Sequence, residues 1–232
     1  MGSARLFRFS RFCVLLILSL GVASAGNFAF TGIFTQDDQH ELFTFTAPSG
    51  SVTLRTYGYA GGTGALGNVI PAGGFDPVLT LFDSTGGLLP GTLVGPSNDN
   101  GAGLCGTGTA TVGQDPATGN CFDSYMLLTG LLASDVYTLV LTQADNYANG
   151  PTYGDGFLED GPNFSAVFGC GGTSFCDQSP AQRTGAWEVD ITGVRTAADI
   201  SAGAPEPSPI ILLLTGCAGL LLLGRRRIRH LL

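Results

Sequence analysis

An all-β chain, about eight short strands folded as a jelly-roll-like β-sandwich, is what this 232-residue sequence predicts. Three observations predict it. Apolar and polar residues alternate over short runs between positions 27 and 191. Glycine, 36 residues in all, and Asn/Asp turns punctuate those runs. No stretch of the region sustains a 3.6-residue repeat. In order, residues 27–34 alternate on Phe28 and Phe30 and break at Thr35-Gln36-Asp37-Asp38. Residues 42–46 form a second strand, ended by Ala47-Pro48-Ser49-Gly50. Residues 51–59 set Val52 and Leu54 against Thr53 and Arg55. A glycine-rich loop, 61–74, follows. Residues 77–83 are a fourth strand with a Ser84-Thr85-Gly86-Gly87 turn behind it, and 98–120 are a polar excursion. Residues 122–128, 136–142, 164–168 and 187–191 complete the set, with Trp187 a core residue.

The two ends read differently. Arg5, Arg8 and Arg11 precede an apolar run at 12–20, and Ala23-Ser24-Ala25 is a small-residue cleavage site. That is the pattern of a secretory signal peptide cut before Gly26, so 1–25 is expected to be a signal helix. At the other end, Pro205-Glu206-Pro207 precedes an uncharged run at 210–223 and then Arg225, Arg226, Arg227 and Arg229. Fourteen helical residues span about 21 Å, short of the ~30 Å hydrocarbon core, and flanking residues with snorkelling arginines complete the span. The arginines stay cytoplasmic, which places the preceding domain outside. The prolines hold an extended segment accessible to a protease beside the membrane. The expected organisation is a signal peptide (1–25), an exported β-sandwich domain (26–200), a linker carrying the Pro-Glu-Pro motif (201–209), one short transmembrane helix (210–224) and a basic tail (225–232).

The motif, helix and basic end, in that order, resemble the PEP-CTERM sorting signal of Gram-negative bacteria. The resemblance covers 205–229. It implies recognition by an exosortase, a membrane cysteine protease-transpeptidase, and transient anchoring in the inner membrane. The mature protein would then reside at the cell surface or in the extracellular matrix. A eukaryotic lipid-anchor signal fits worse, because such tails end in apolar residues.

Charge agrees with export. The chain has no lysine. Between residues 26 and 204, three arginines (Arg55, Arg183, Arg195) face seventeen acids, a net charge of −14. Such a surface repels nucleic acid, which is excluded as a partner. Four cysteines, Cys105, Cys121, Cys170 and Cys176, lie outside the two apolar ends. In an oxidising compartment they are expected to form two disulfides. Of three possible pairings we expect the local one, 105–121 with 170–176. The spacing does not suit a zinc ribbon.

Within the domain, Phe75-Asp76-Pro77-Val78-Leu79-Thr80-Leu81-Phe82-Asp83, the Asn98-Asp99-Asn100-Gly101 cluster and Asp135-Val136-Tyr137-Thr138-Leu139-Val140-Leu141 resemble the pre-peptidase C-terminal (PPC-like) β-sandwich found beside secreted proteases. Asp135 stands where that pattern has glycine. Phe30-Thr31-Gly32-Ile33-Phe34-Thr35-Gln36-Asp37-Asp38, Gly73-Gly74-Phe75-Asp76-Pro77, Leu141-Thr142-Gln143-Ala144-Asp145-Asn146, the stretch from Cys170 to Cys176 and Trp187-Glu188-Val189-Asp190-Ile191 resemble DVUA-type exported proteins, which often carry PEP-CTERM tails. That resemblance spans most of 27–193 and implies no particular chemistry.

The catalytic inventory is thin. His40 sits among Asp37, Asp38 and Glu41, where it reads as a solvated turn residue, and His230 belongs to the tail. Oxidised cysteines supply no thiolate and the lack of lysine removes Schiff-base chemistry. Asp/Glu pairs remain, so a secreted hydrolase acting on matrix glycans is the alternative, and an accessory domain of a secreted protease is a third reading. No catalytic residue is assigned. Asp76, Asp83, Asn98, Asp99 and Asn100 offer hard oxygen ligands for calcium, with Asp145 and Asn146 able to close from another loop. Tyr57, Tyr59, Tyr147 and Tyr153 lie near loops where aromatic rings could meet carbohydrate. The sequence therefore predicts a non-catalytic exported surface or matrix protein that binds calcium or polysaccharide.

Overall fold

The computed structural model describes residues 25–89, 105 and 112–201. The expected signal segment through Ser24, the Asn98-Asp99-Asn100 stretch, the Pro-Glu-Pro motif, the expected transmembrane run and the arginine tail lie outside the described residues. Among those described, no helix is long and apolar enough to cross a membrane.

The described chain is all-β. Its strands are β1 (Gly26–Ile33), β2 (Glu41–Thr46), β3 (Val52–Thr56), β4 (Gly62–Thr63), β5 (Val69–Ile70), β6 (Pro77–Phe82), β7 (Tyr125–Leu128), β8 (Val136–Gln143), β9 (Ala186–Val194) and β10 (Thr196–Asp199). They form two four-stranded antiparallel sheets, ordered β1-β9-β3-β7 and β10-β2-β8-β6, and a separate β4-β5 ribbon. The ribbon aside, no two strands adjacent in sequence pair with each other.

Period-two alternation explains the packing. Val52 and Leu54 of β3, Met126 and Leu128 of β7 and Val189 and Ile191 of β9 turn inward from the first sheet. Phe43 and Phe45 of β2, Leu79 and Leu81 of β6 and Leu139 and Leu141 of β8 meet them from the second. Trp187 joins this core, its ring centroid 5.8 Å from that of Phe43. β6 is buried at every position. Its second face is covered by the excursion that follows β8, where Phe82 and Val140 pack with Phe157.

Three features differ from the sequence expectation. Phe164–Phe168, expected as a strand, is a 3₁₀ turn. Left-handed residues bracket it, Asn163 at φ 69° and Gly169 at φ 76°. The buried Asp37 carboxylate accepts the Asn163 and Ser165 amides, which fixes the turn. β10 was not expected as a separate strand. Only Arg195 separates it from β9, and there the chain passes from one sheet to the other. Two residues earlier, at the register shift near the end of β9, Gly193 has φ 78°, and a Cβ on it would lie 2.7 Å from the Ser51 carbonyl, so glycine is required there. The third difference is the 61–74 loop, which contains the β4-β5 ribbon.

Both expected disulfides are present. Cys105–Cys121 and Cys170–Cys176 have Cα separations of 5.5 and 5.4 Å. They staple the chain at 105–121 and 170–176, which suits an oxidising compartment.

A candidate functional site beneath the ribbon

The outward face of the first sheet is not a plain solvated surface. On β9, Glu188 and Asp190 alternate with the core residues Trp187, Val189 and Ile191, so both acids point outward. On β3, Arg55 alternates with Leu54 in the same way, and Arg55 stands directly opposite Asp190 in the antiparallel register. Charged residues on such a face normally meet water, yet Glu188 is 1% and Asp190 2% exposed.

The β4-β5 ribbon is what buries them. Its turn donates the Ala65 amide to Asp190 Oδ2 at 2.6 Å. Asn68 Nδ2 reaches Glu188 Oε1 at 3.1 Å and Oε2 at 3.3 Å. The approach is so close that a Cβ on Gly64 would lie 2.5 Å from Glu188 Oε1. The glycine-rich loop is thus a roof held down by two carboxylates. Asp123 anchors the strand leading into it, accepting Thr56 Oγ1 at 2.9 Å and the Tyr59 and Ala60 amides at 3.1 and 2.8 Å.

Two pockets open beside the roof. One, of about 420 Å³, is lined by Glu188, Asn68, Trp187 and apolar residues that include Ile33, Val69 and Ile70. The other, of about 370 Å³, is lined by Asn27, Thr53, Arg55, Tyr57, Asp190 and Thr192, with Ala65 from the roof.

The electrostatics follow from burial. Loss of hydration pushes the Glu188 carboxyl up to about 7; the Asn68 hydrogen bonds oppose this, and the charges of Asp190 and Asp123 add to it. Burial raises Asp190 too, against the Ala65 amide and the Arg55 charge. Asp123 is raised by burial although three hydrogen bonds work the other way. The arrangement can hold a proton near neutral pH and offers hydrogen-bond acceptors in sheltered pockets.

A second polar cluster nearby is structural. Arg183 donates from Nε to the Gly74 carbonyl at 2.9 Å and from Nη2 to the Tyr59 carbonyl at 2.7 Å. It pairs through Nη1 with Asp115 at 3.2 Å and lies 3.8 Å over the Tyr59 ring. Burial works to raise Asp115, but the Arg183 and Thr118 hydrogen bonds outweigh it and hold the carboxyl below its ordinary value. Burial likewise pushes the Tyr59 phenol up to about 12.

The residues singled out from sequence are scattered. Asp76 and Asp83 stand at opposite ends of β6, about 23 Å apart at ~3.3 Å per residue, so one ion cannot take both. The Asp83 carboxylate is engaged by its own turn, accepting the Thr85 amide at 2.8 Å, Thr85 Oγ1 at 2.7 Å and the Gly87 amide at 2.9 Å. Those bonds hold it below its ordinary value, led by the Thr85 hydroxyl. Among the described residues no three His, Cys, Asp or Glu side chains are grouped to hold a metal. Tyr59 is fully buried rather than a loop aromatic, and Tyr153 packs edge-on against Phe82 at 5.6 Å. Tyr57 alone of the four tyrosines lines the polar pocket. His40 stacks on Phe157 with centroids 5.5 Å apart. Gly26 begins β1, whereas Ala23, Asn98, Asp99, Asn100, Pro205, Glu206, Pro207 and the arginines of the tail lie outside the described residues. Sequence reasoning missed the Arg55–Glu188–Asp190 face. Its signal was the Trp-Glu-Val-Asp-Ile alternation at 187–191, which puts two acids on one face opposite an arginine strand. No protein-family model, no curated protein and no solved structure matches this chain.

Proposed function

We propose that this protein is a non-catalytic component of the bacterial cell surface or extracellular matrix. It is sorted, and processed at Pro205-Glu206-Pro207, by an exosortase, and its β domain binds extracellular polysaccharide. The tripartite tail and the signal-peptide pattern support the sorting reading. Two disulfides and a net charge of −14 between residues 26 and 204 fit an exported domain. We read the sandwich as jelly-roll-like because its connections cross from sheet to sheet. The observation that carries the binding reading is the roofed polar pocket on the first sheet, which provides sheltered donors and acceptors for hydroxyl groups. Calcium enters this proposal through Asn98, Asp99 and Asn100 with Asp76, side chains that carry hard oxygens. A calorimetric titration with millimolar calcium, giving no heat and no melting shift, removes that part.

The second reading, a matrix-glycan hydrolase, is favoured by Glu188 alone, whose carboxyl holds its proton to about pH 7 as a general acid must. Against it, Glu188 lines one pocket and Asp190 the other, with the ribbon between them, so the pair does not flank a single substrate bond. Co-sedimentation with purified exopolysaccharide, together with an assay for newly released reducing ends, separates the two. Binding without release supports the matrix reading. Release that is abolished in Glu188→Gln overturns it.

A further inference from the structure

The pocket beneath the ribbon holds a donor and an acceptor that nothing in the fold uses. Asp190 Oδ2 takes the Ala65 amide, but Asp190 Oδ1 is buried without a hydrogen-bond partner. Arg55 Nε is buried without one as well. The two residues face each other across β3 and β9 and line the same pocket. Oppositely charged neighbours at such a position ordinarily join. Here the ion pairs among the described residues are those of Arg183, and the Arg55 guanidinium instead lies 4.5 Å over the Tyr57 ring. Native proteins rarely leave buried polar atoms unsatisfied, so a buried donor and a buried acceptor without partners at one pocket call for an explanation.

From this geometry we infer that the pocket is a subsite for a neutral sugar unit, read through a vicinal diol by Asp190 and Arg55. This rests on the polysaccharide-binding part of the proposed function and names its site. Adjacent sugar hydroxyls present a donor and an acceptor side by side. One hydroxyl donates to Asp190 Oδ1, and its neighbour accepts from Arg55 Nε. Thr53, Thr192 and Asn27 place further polar groups around the same space. The charge balance selects among ligands. Asp190 repels an anionic group, Arg55 repels a bare cation, and an apolar ligand leaves both buried groups unmet. A volume of about 370 Å³ lies at the small end of the ~300–1,000 Å³ range of ligand pockets, as a subsite for one unit of a longer chain requires.

The test uses the full-length, oxidised protein in a detergent without a sugar headgroup. Two neutral glycans of the same linkage, α-1,6-mannan with cis diols and dextran with trans diols, are titrated alongside periodate-treated samples in which the diols have been cleaved. Alginate serves as the anionic control. At least one neutral glycan should bind, periodate treatment should weaken that binding tenfold or more, and alginate should bind no better than the oxidised glycans. Asp190→Asn and Arg55→Gln should each weaken it at least tenfold, since each removes a charge-assisted hydrogen bond. Asp190 also holds the roof through Ala65, so Arg55→Gln, which removes no hydrogen bond of the fold, is the variant that decides if Asp190→Asn lowers the melting temperature. Unchanged binding in Arg55→Gln, or equal binding of the periodate-treated glycan, overturns the subsite and leaves polysaccharide binding elsewhere on the domain standing. If neither neutral glycan binds, the subsite is overturned, and co-sedimentation with the host's own exopolysaccharide then tests the wider reading separately.

Discussion

Replacing Glu188 by glutamine tests whether the ribbon truly seals the outer face of the first sheet. Glu188 is 1% exposed and receives both Asn68 contacts, and burial carries its carboxyl from an ordinary 4.5 to about 7. Because the folded value is raised, the folded state holds the proton more tightly than the unfolded chain between those two limits. The resulting stabilisation is fully present below about pH 4.5 and is lost as pH rises through about 7. At ~1.36 kcal/mol for each tenfold change in proton affinity, the ceiling is about 3.4 kcal/mol. Relaxation of the folded site around the ionised carboxylate and residual solvent screening bring this to about 1–2 kcal/mol. Glutamine keeps an acceptor for Asn68 and cannot ionise. The variant should therefore match the wild type near pH 4 and exceed its stability at pH 8 by about 1–2 kcal/mol, or roughly 2–8 °C for a domain of this size. Urea and thermal unfolding of the oxidised protein between pH 4 and 8 measure the difference directly. A difference that does not change with pH, or a wild type more stable at pH 8, would refute the sealed cleft.

Three further outcomes follow from the packing. Replacing Cys105 and Cys121 together by serine should cost about 3 kcal/mol, and replacing Cys170 and Cys176 about 2 kcal/mol, since the stabilisation grows with the logarithm of the loop closed, as read from urea midpoints. Arg183→Met leaves Asp115 and Asp177 buried without their cation and should lower stability by about 3–5 kcal/mol, whereas Arg195→Met, at an exposed position, should change it by less than about 0.5 kcal/mol. Gly74→Ala drives a Cβ into the Ala186 carbonyl and should lower the melting temperature even though it adds only one methyl group.

The strands with one face in the core were legible because alternation alone specifies them. Leu42-Phe43-Thr44-Phe45-Thr46 and Val136–Gln143 carry the period on their sleeves, and their ends follow from Pro48, Gly50 and the polar turn after Gln143. Phe164–Phe168 carries the same apolar content but forms a 3₁₀ turn. Its fate depends on Asp37, more than 120 residues earlier, which no local pattern reveals. β10 was hidden for a related reason: one residue separates it from β9, so the change of sheet at Arg195 left no turn signature. The local disulfides could be expected from cysteine spacing and compartment. The candidate site could not. Glu188 and Asp190 meet Asn68 and Ala65 across 120 and 125 residues, and their burial depends on a ribbon that reads as loop because four glycines stand among its first seven residues, from Gly61 to Gly67. Arg183 illustrates the same limit, since its partners Asp115 and Tyr59 lie 68 and 124 residues away.

The central claim is that this acidic, disulfide-stapled sandwich is delivered beyond the inner membrane and released from its tail there. Mass spectrometry of the protein recovered from the surface and matrix fractions of an exosortase-bearing host tests it most directly. The account predicts a chain beginning at Gly26 and ending at or near Pro205-Glu206-Pro207, with Arg225, Arg226, Arg227 and Arg229 absent. A chain that keeps those four arginines and stays in the inner-membrane fraction would contradict it.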